Sequence, residues 1–143
     1  PHIVYCDKVD PSGESAPRAF RMRMDAHSCA LGKAILAFKG RDELKEIYKS
    51  YSLHKHTSNT ITSLDKLYAN LANVRKNGYS LNEAETFNYV YGIGAPIMDS
   101  KKRAIAAISI SGTKGSINIK TTPNLAKKVT ETAALISLKL QNN

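Results

Sequence analysis

The stretch from Tyr89 to Ser111 limits the possible folds more than any other part of the chain. Tyr89-Val90-Tyr91-Gly92-Ile93-Gly94-Ala95-Pro96-Ile97-Met98 has strand composition, Asp99-Ser100-Lys101-Lys102 carries turn chemistry, and Ala104 to Ser111 returns as a second strand. The pattern predicts an antiparallel hairpin. In its second strand Ile108 and Ile110 alternate with Ser109 and Ser111, so one face is apolar and the other carries hydroxyls. The apolar face demands a helical cover, and the hydroxyl face either lines a polar pocket or is half exposed.

The helices to cover it can be read from periodicity. From His27, Leu31, Ala34, Ile35 and Phe38 share one stripe, with Lys39-Gly40 as the stop. Gly32 lies inside that run, where glycine costs about 1 kcal/mol against alanine, which points to a close approach of backbone or ligand. A second helix follows Asp42 as cap, with Leu44, Ile47, Tyr48 and Tyr51 inward. A third runs from Ser63 through Leu64, Leu67, Leu71 and Val74 to Asn77-Gly78. Thr122-Pro123 opens the last, whose apolar face is Leu125, Val129, Ala133, Ile136 and Leu140. Ile3 to Cys6 reads as a strand and residues 16–24 as another. Four helices and five or six strands, without a βαβ repeat, give an α+β domain with helices packed on an antiparallel sheet.

With 143 residues, 42% hydrophobic and 23% charged, the chain has the composition of one globular domain, residues 1–143, and disorder is excluded as its main state. Its longest apolar runs fall far short of the ~20 residues of a membrane span. Pro1 stands where a methionine would start a complete protein, and no secretory signal follows, so the expectation is a piece of a longer protein. Cys6 and Cys29 allow at most one disulfide, which fits a reducing cytoplasm.

The formal charge is +9 and uneven: residues 101–143 hold eight basic residues against Glu131 alone. A basic sector of this kind can neutralise nucleic-acid phosphates or simply form a solvated face. No aromatic residue follows Tyr91, which excludes a single-strand stacking platform there.

His27-Ser28-Cys29-Ala30-Leu31-Gly32-Lys33 holds the most chemistry. Small and polar residues opening a helix leave unpaired backbone N–H groups at its positive end, suited to a carboxylate or phosphate, and Ser28 reads equally as a plain cap. Gly32-Lys33 is not a P-loop, because His27 and Ala34 stand where that motif needs glycine and a hydroxyl residue. Cys29 with His27 is an alternative catalytic pair, without an acid placed to orient the imidazole. His27 with Cys29, or His54 with His56, supplies only two ligands where zinc needs three or four, so no metal or cofactor is expected and His54-Lys55-His56 is read as a solvated loop. Glu83 and Glu85 are read as a polar loop.

The segments HSCALGKAILA (27–37), SNTIT (58–62), NGYSLNEAE (77–85) and GIGAPIMDSKKRAIAAISISGT (92–113) together resemble the effector-binding domain of IclR-family bacterial transcription regulators. The resemblance implies a GAF-like α+β domain, without enzymatic activity, that binds a small organic acid and assembles into dimers or tetramers. It also implies an N-terminal winged helix-turn-helix, absent here, that contacts DNA and is controlled by subunit rearrangement. By the same resemblance an effector carboxylate rests on the amides of Ala30 and Leu31, beside Ser28 and Cys29, with Asn82, Val90, Gly92, Ser109 and Ser111 lining the rest. Asn82 and Gly92 depart from the family pattern, where Asp and a small side chain such as Cys are usual. A carboxamide donates as well as accepts, so a different far end of the ligand is expected, and Gly92 is expected to enlarge the cavity.

Overall fold

A computed structural model describes residues 1–10 and 21–142. In chain order the elements are β1 (His2–Val4), β2 (Arg23–Asp25), a short 3₁₀ turn (Ala26–Ser28), α1 (Ala30–Leu36), α2 (Arg41–Lys49), α3 (Leu64–Asn77), β3 (Ser80–Glu83), β4 (Tyr91–Met98), β5 (Ala104–Gly112) and α4 (Thr122–Gln141). The strands form an antiparallel β1–β2 pair and an antiparallel sheet of order β3-β4-β5. Five strands and four helices among the described residues match the expected α+β class. Of the strand expected at 16–24, residues 16–20 lie outside the described residues, and β2 takes up the last part.

The hairpin forms as its sequence dictates. Asp99 closes the turn, its carboxylate accepting from the Lys101 and Arg103 amides at 2.9 and 2.8 Å and pairing with the Arg103 guanidinium at 2.7 Å. Register then sorts the side chains. Asn82, Gly92 and Ser111 lie opposite one another, as do Ser80, Gly94 and Ser109, and directly opposed residues share a face. That face is polar and small. The other face carries Leu81, Ile93 and Ile110 in one row and Ala95 and Ile108 in the next.

Each face has its own helix. Val129 and Ala133 of α4 pack with Ala95, Ile97, Ile108 and Ile110, and Ala126 packs with Ile93 and Ile117. The expected stripe on α4 fails at its end, since Leu140 is 51% exposed. Ser137 points inward instead, donating to the Ala133 carbonyl at 2.7 Å and accepting from the Met98 amide at 2.9 Å, which terminates β4. On the polar face lies α1, and beyond it a second core of Leu36, Ala37, Leu44, Tyr48, Leu67, Leu71 and Val74 joins α1, α2 and α3. The layers therefore run α4, sheet, α1, then α2 with α3.

Helix ends show why α1 sits where it does. The first helix was expected from His27, but Cys29 is extended (φ −131°, ψ 155°) and the α-helix starts only at Ala30. A Cβ on Gly32 would come within 2.2 Å of the Ala26 carbonyl oxygen, so glycine lets the 3₁₀ turn fold back onto the helix. A Cβ on Gly94 would meet the Ala30 backbone at 2.8 Å, so a second glycine lets α1 lie directly on β4. The α3 ends follow the sequence reading: Ser63 caps the Lys66 amide and Gly78 takes the left-handed conformation, φ 79°.

Candidate functional site

The helix start read as an anion site is built by local bonds. Cys29 is the N-cap, its sulfur accepting from the Gly32 amide at 3.4 Å. Ser28 is not the cap: its hydroxyl donates to the Asp25 carbonyl at 3.2 Å and accepts from the Thr86 hydroxyl at 3.0 Å. Ala30 and Leu31 supply the amides of the first turn, which helical geometry leaves without intrahelical acceptors.

The sheet meets this turn closely. Ser80 donates to the Ala30 carbonyl at 2.6 Å, fixing the helix over Gly94. A Cβ on Gly92 would stand 3.6 Å from both the Ala30 and Asn82 Cβ atoms, so the missing side chain leaves room for about a methyl group rather than a large cavity. Asn82 is buried, and its carboxamide oxygen accepts from the Glu85 amide at 2.9 Å, which leaves the NH₂ as the group free to face a ligand. Val90 closes the same loop, its carbonyl accepting from the Ala84 amide at 3.0 Å. Ser109 is half-buried and Ser111 exposed on the polar face. The predicted residues thus gather at one place, around the first turn of α1 and the polar face of the sheet. Two surface clefts lie elsewhere, about 320 Å³ between β4 and α4 and about 800 Å³ beside α2 and α3, and no predicted residue lines either.

Several residues that hold the site together did not stand out as such in the sequence. Lys33 is buried and pairs with Glu85 at 2.5 Å, tying α1 to the 84–90 loop. Glu85 is therefore buried rather than part of a polar surface loop, and Glu83, though exposed, closes strand β3 instead of lying in a loop. Burial pushes the Glu85 carboxyl above its ordinary range, against the pull of Lys33. Its Oε2 is buried without a hydrogen-bond partner among the described residues. Thr57 and Thr60 pin the loop further, donating to the Ala84 and Glu85 carbonyls at 2.7 and 2.6 Å. Thr86 links the loop to Ser28. A long-range ion pair of this kind leaves no trace in local spacing.

The catalytic alternative does not survive this geometry. Cys29 is buried, its sulfur is spent as a helix cap, and burial pushes its thiol up to about 11, so almost no thiolate exists at neutral pH. The basic sector also divides. Lys101, Lys102 and Arg103 lie at one end of β5, whereas Lys114 and Lys120 follow its other end, about 30 Å away for nine residues.

Comparison with known proteins decides the family. The family model described as "Bacterial transcriptional regulator IclR C-terminal" matches residues 1–138. The chain belongs to the IclR family. It is 31% identical over 140 residues to the HTH-type transcriptional regulator KipR of Bacillus subtilis, covering 96% of this chain and 55% of that one. It is 32% identical over 146 residues to the DNA-binding transcriptional repressor YiaJ of Escherichia coli, covering 97% and 51%. The chain thus spans about half the length of the curated relatives it matches. The IclR structure of Thermotoga maritima superposes with a TM-score of 0.81 at 36% identity, over 85% of this chain and 49% of that one. The C-terminal domain of the E. coli regulator KdgR gives 0.81 at 28% identity, over 89% and 77%. This is an IclR-type C-terminal domain, and the relatives it matches are transcription regulators. Among the described residues no helix is long and apolar enough to cross a membrane.

Proposed function

We propose that this IclR-type domain binds a small organic acid at the first turn of α1, with the ligand carboxylate on the Ala30 and Leu31 amides. The observation that carries the reading is the register, which sets Asn82, Ser109 and Ser111 on the sheet face that α1 covers. Hydrogen bonds to a charged group contribute about 1.5–3 kcal/mol each, so two amides and two hydroxyls hold a carboxylate without a buried arginine. Asn82 offers its NH₂ to the far end of the ligand where a carboxylate would offer only acceptors. The adjacent Lys33–Glu85 pair is internally compensated and leaves the site for one added negative charge. Ser28 and Cys29 act by position, since their polar atoms already serve Asp25, Thr86 and Gly32.

Binding controls an attached winged helix-turn-helix in the cytoplasm by favouring one arrangement of subunits, as a ligand shifts an equilibrium only through differential affinity. Leu135 and Leu138 of α4, exposed at 61% and 56%, give a second copy an apolar surface to meet. Thermal melts with pyruvate, succinate and 4-hydroxybenzoate test the reading. At least one acid at millimolar concentration raises the melting temperature, and a flat response across such a panel contradicts it.

A further inference from the structure

All four histidines of the chain converge on one carboxylate. His2 Nε2 lies 3.1 Å from Asp25 Oδ1, and His56 Nε2 and His54 Nδ1 lie 2.9 and 3.6 Å from Asp25 Oδ2. The His27 ring stacks on His56 with centroids 6.2 Å apart. One donor atom from each of Asp25, His27 and His56 falls within 4.8 Å of the other two. Three chain segments meet to do this. The β1–β2 register sets His2 opposite Asp25, the 3₁₀ turn brings His27 back beside it, and Thr60 holds the incoming loop by accepting from the His56 and Thr57 amides at 3.0 and 2.9 Å.

We propose that Asp25, His56, His27 and His2 form a binding site for a divalent transition ion of the zinc class, with His54 at its margin. Imidazole nitrogens with one carboxylate are the donor set zinc prefers, whereas calcium and magnesium demand oxygens. Zinc bonds of about 2.0–2.2 Å in a tetrahedron place donors about 3.3–3.6 Å apart, inside the 2.9–4.8 Å spread already present. His2 and His56 are 38% and 33% exposed in their side chains, so both can rotate to close the sphere. His27 is held in the way ligating histidines are: its Nε2 donates to the His54 carbonyl at 3.0 Å, which leaves Nδ1 bare. The ion staples β1, β2 and the 51–56 loop just ahead of the Cys29 cap, and none of its ligands belongs to the proposed effector site.

Equilibrium dialysis of the tag-free chain against ZnCl₂ at neutral pH, with metal quantified by mass spectrometry, tests the site. One zinc per chain is expected, with tetrahedral d–d bands and no thiolate charge transfer when Co²⁺ is substituted. His56→Ala and the double variant His2→Ala/His56→Ala, both at partly exposed positions, weaken zinc binding by about tenfold or more, and His54→Ala leaves it within a few-fold. Circular dichroism checks that each variant folds. Absence of stoichiometric zinc overturns the proposal. So does binding unchanged in the folded double variant, or a cobalt spectrum with thiolate character, which would assign the metal to Cys6.

Discussion

Removing the Lys33 ammonium leaves a carboxylate buried in the wall between α1 and the 84–90 loop. Lys33 is fully buried and the Glu85 side chain is 7% exposed, so neither charge finds water when its partner is lost. Breaking a buried pair costs about 3–5 kcal/mol, whereas replacing both members by apolar groups is often nearly neutral. Lys33→Met is therefore expected to lose about 3–5 kcal/mol, and Lys33→Met/Glu85→Met only about 1 kcal/mol, mainly the Glu83 amide bond that Glu85 accepts at 3.3 Å. Unfolding entropy of about 2.1 cal/mol/K per residue converts each kcal/mol into about 3 °C for this chain, so the single variant melts about 10–15 °C below the parent. The pH dependence has a definite sign. Burial raises the folded-state pKa of Glu85, so its favourable contribution is complete below the unfolded value of about 4.3 and is lost as pH rises through the folded value. Without Lys33 the folded value climbs further, and the deficit of Lys33→Met shrinks as pH falls from 7 toward 5. Urea melts of the parent, both single variants and the double variant at several pH values supply the cycle. Single-variant losses that add in the double variant, or a Lys33→Met deficit that is small and flat with pH, refute the reasoning.

Gly32→Ala should destabilise although alanine favours a helix by about 1 kcal/mol, because overpacking against the Ala26 backbone at 2.2 Å costs about 1–3 kcal/mol or more. A chemical melt showing the variant more stable than the parent would mean that the 3₁₀ turn moves freely. Ser109→Ala/Ser111→Ala removes two hydroxyls from the polar face without touching the Ile108 and Ile110 core, so calorimetry should find binding of the stabilising acid weakened about tenfold, or ~1.4 kcal/mol, at unchanged melting temperature of the free chain. Undiminished affinity would move the ligand off this face.

Where the fold was legible, a local rule and a long-range contact agreed. The Ile108/Ser109/Ile110/Ser111 alternation reported both faces of β5 because the sheet does carry an apolar helix contact on one side and a polar one on the other. Ser63 and Gly78 bounded α3 because capping is a property of adjacent residues. At the start of α1 two neighbouring side chains competed for one role, and the thiol of Cys29 took it when Ser28 turned to Asp25. Lys33 and Glu85 lie 52 positions apart and the histidines lie on β1, the 3₁₀ turn and a loop, so no spacing rule could join them. For the same reason the histidines appeared as two incomplete pairs, and Asp25, around which they gather, showed no signal of its own. Leu140 failed because the β4 strand ends at Met98, and beyond it α4 has nothing apolar to cover.

A carboxylate docked on the amides opening α1 must perturb those amides before any others. Titrating ¹⁵N-labelled chain with whichever of pyruvate, succinate or 4-hydroxybenzoate raises its melting temperature, and following every amide resonance, tests this most directly. The Ala30 and Leu31 amides are expected to shift first and furthest, with the Asn82 side-chain NH₂ and the Ser109–Ser111 amides next. Saturable shifts confined to the α2–α3 cleft, the α4 surface or the 101–103 turn, with Ala30 and Leu31 unmoved, contradict it.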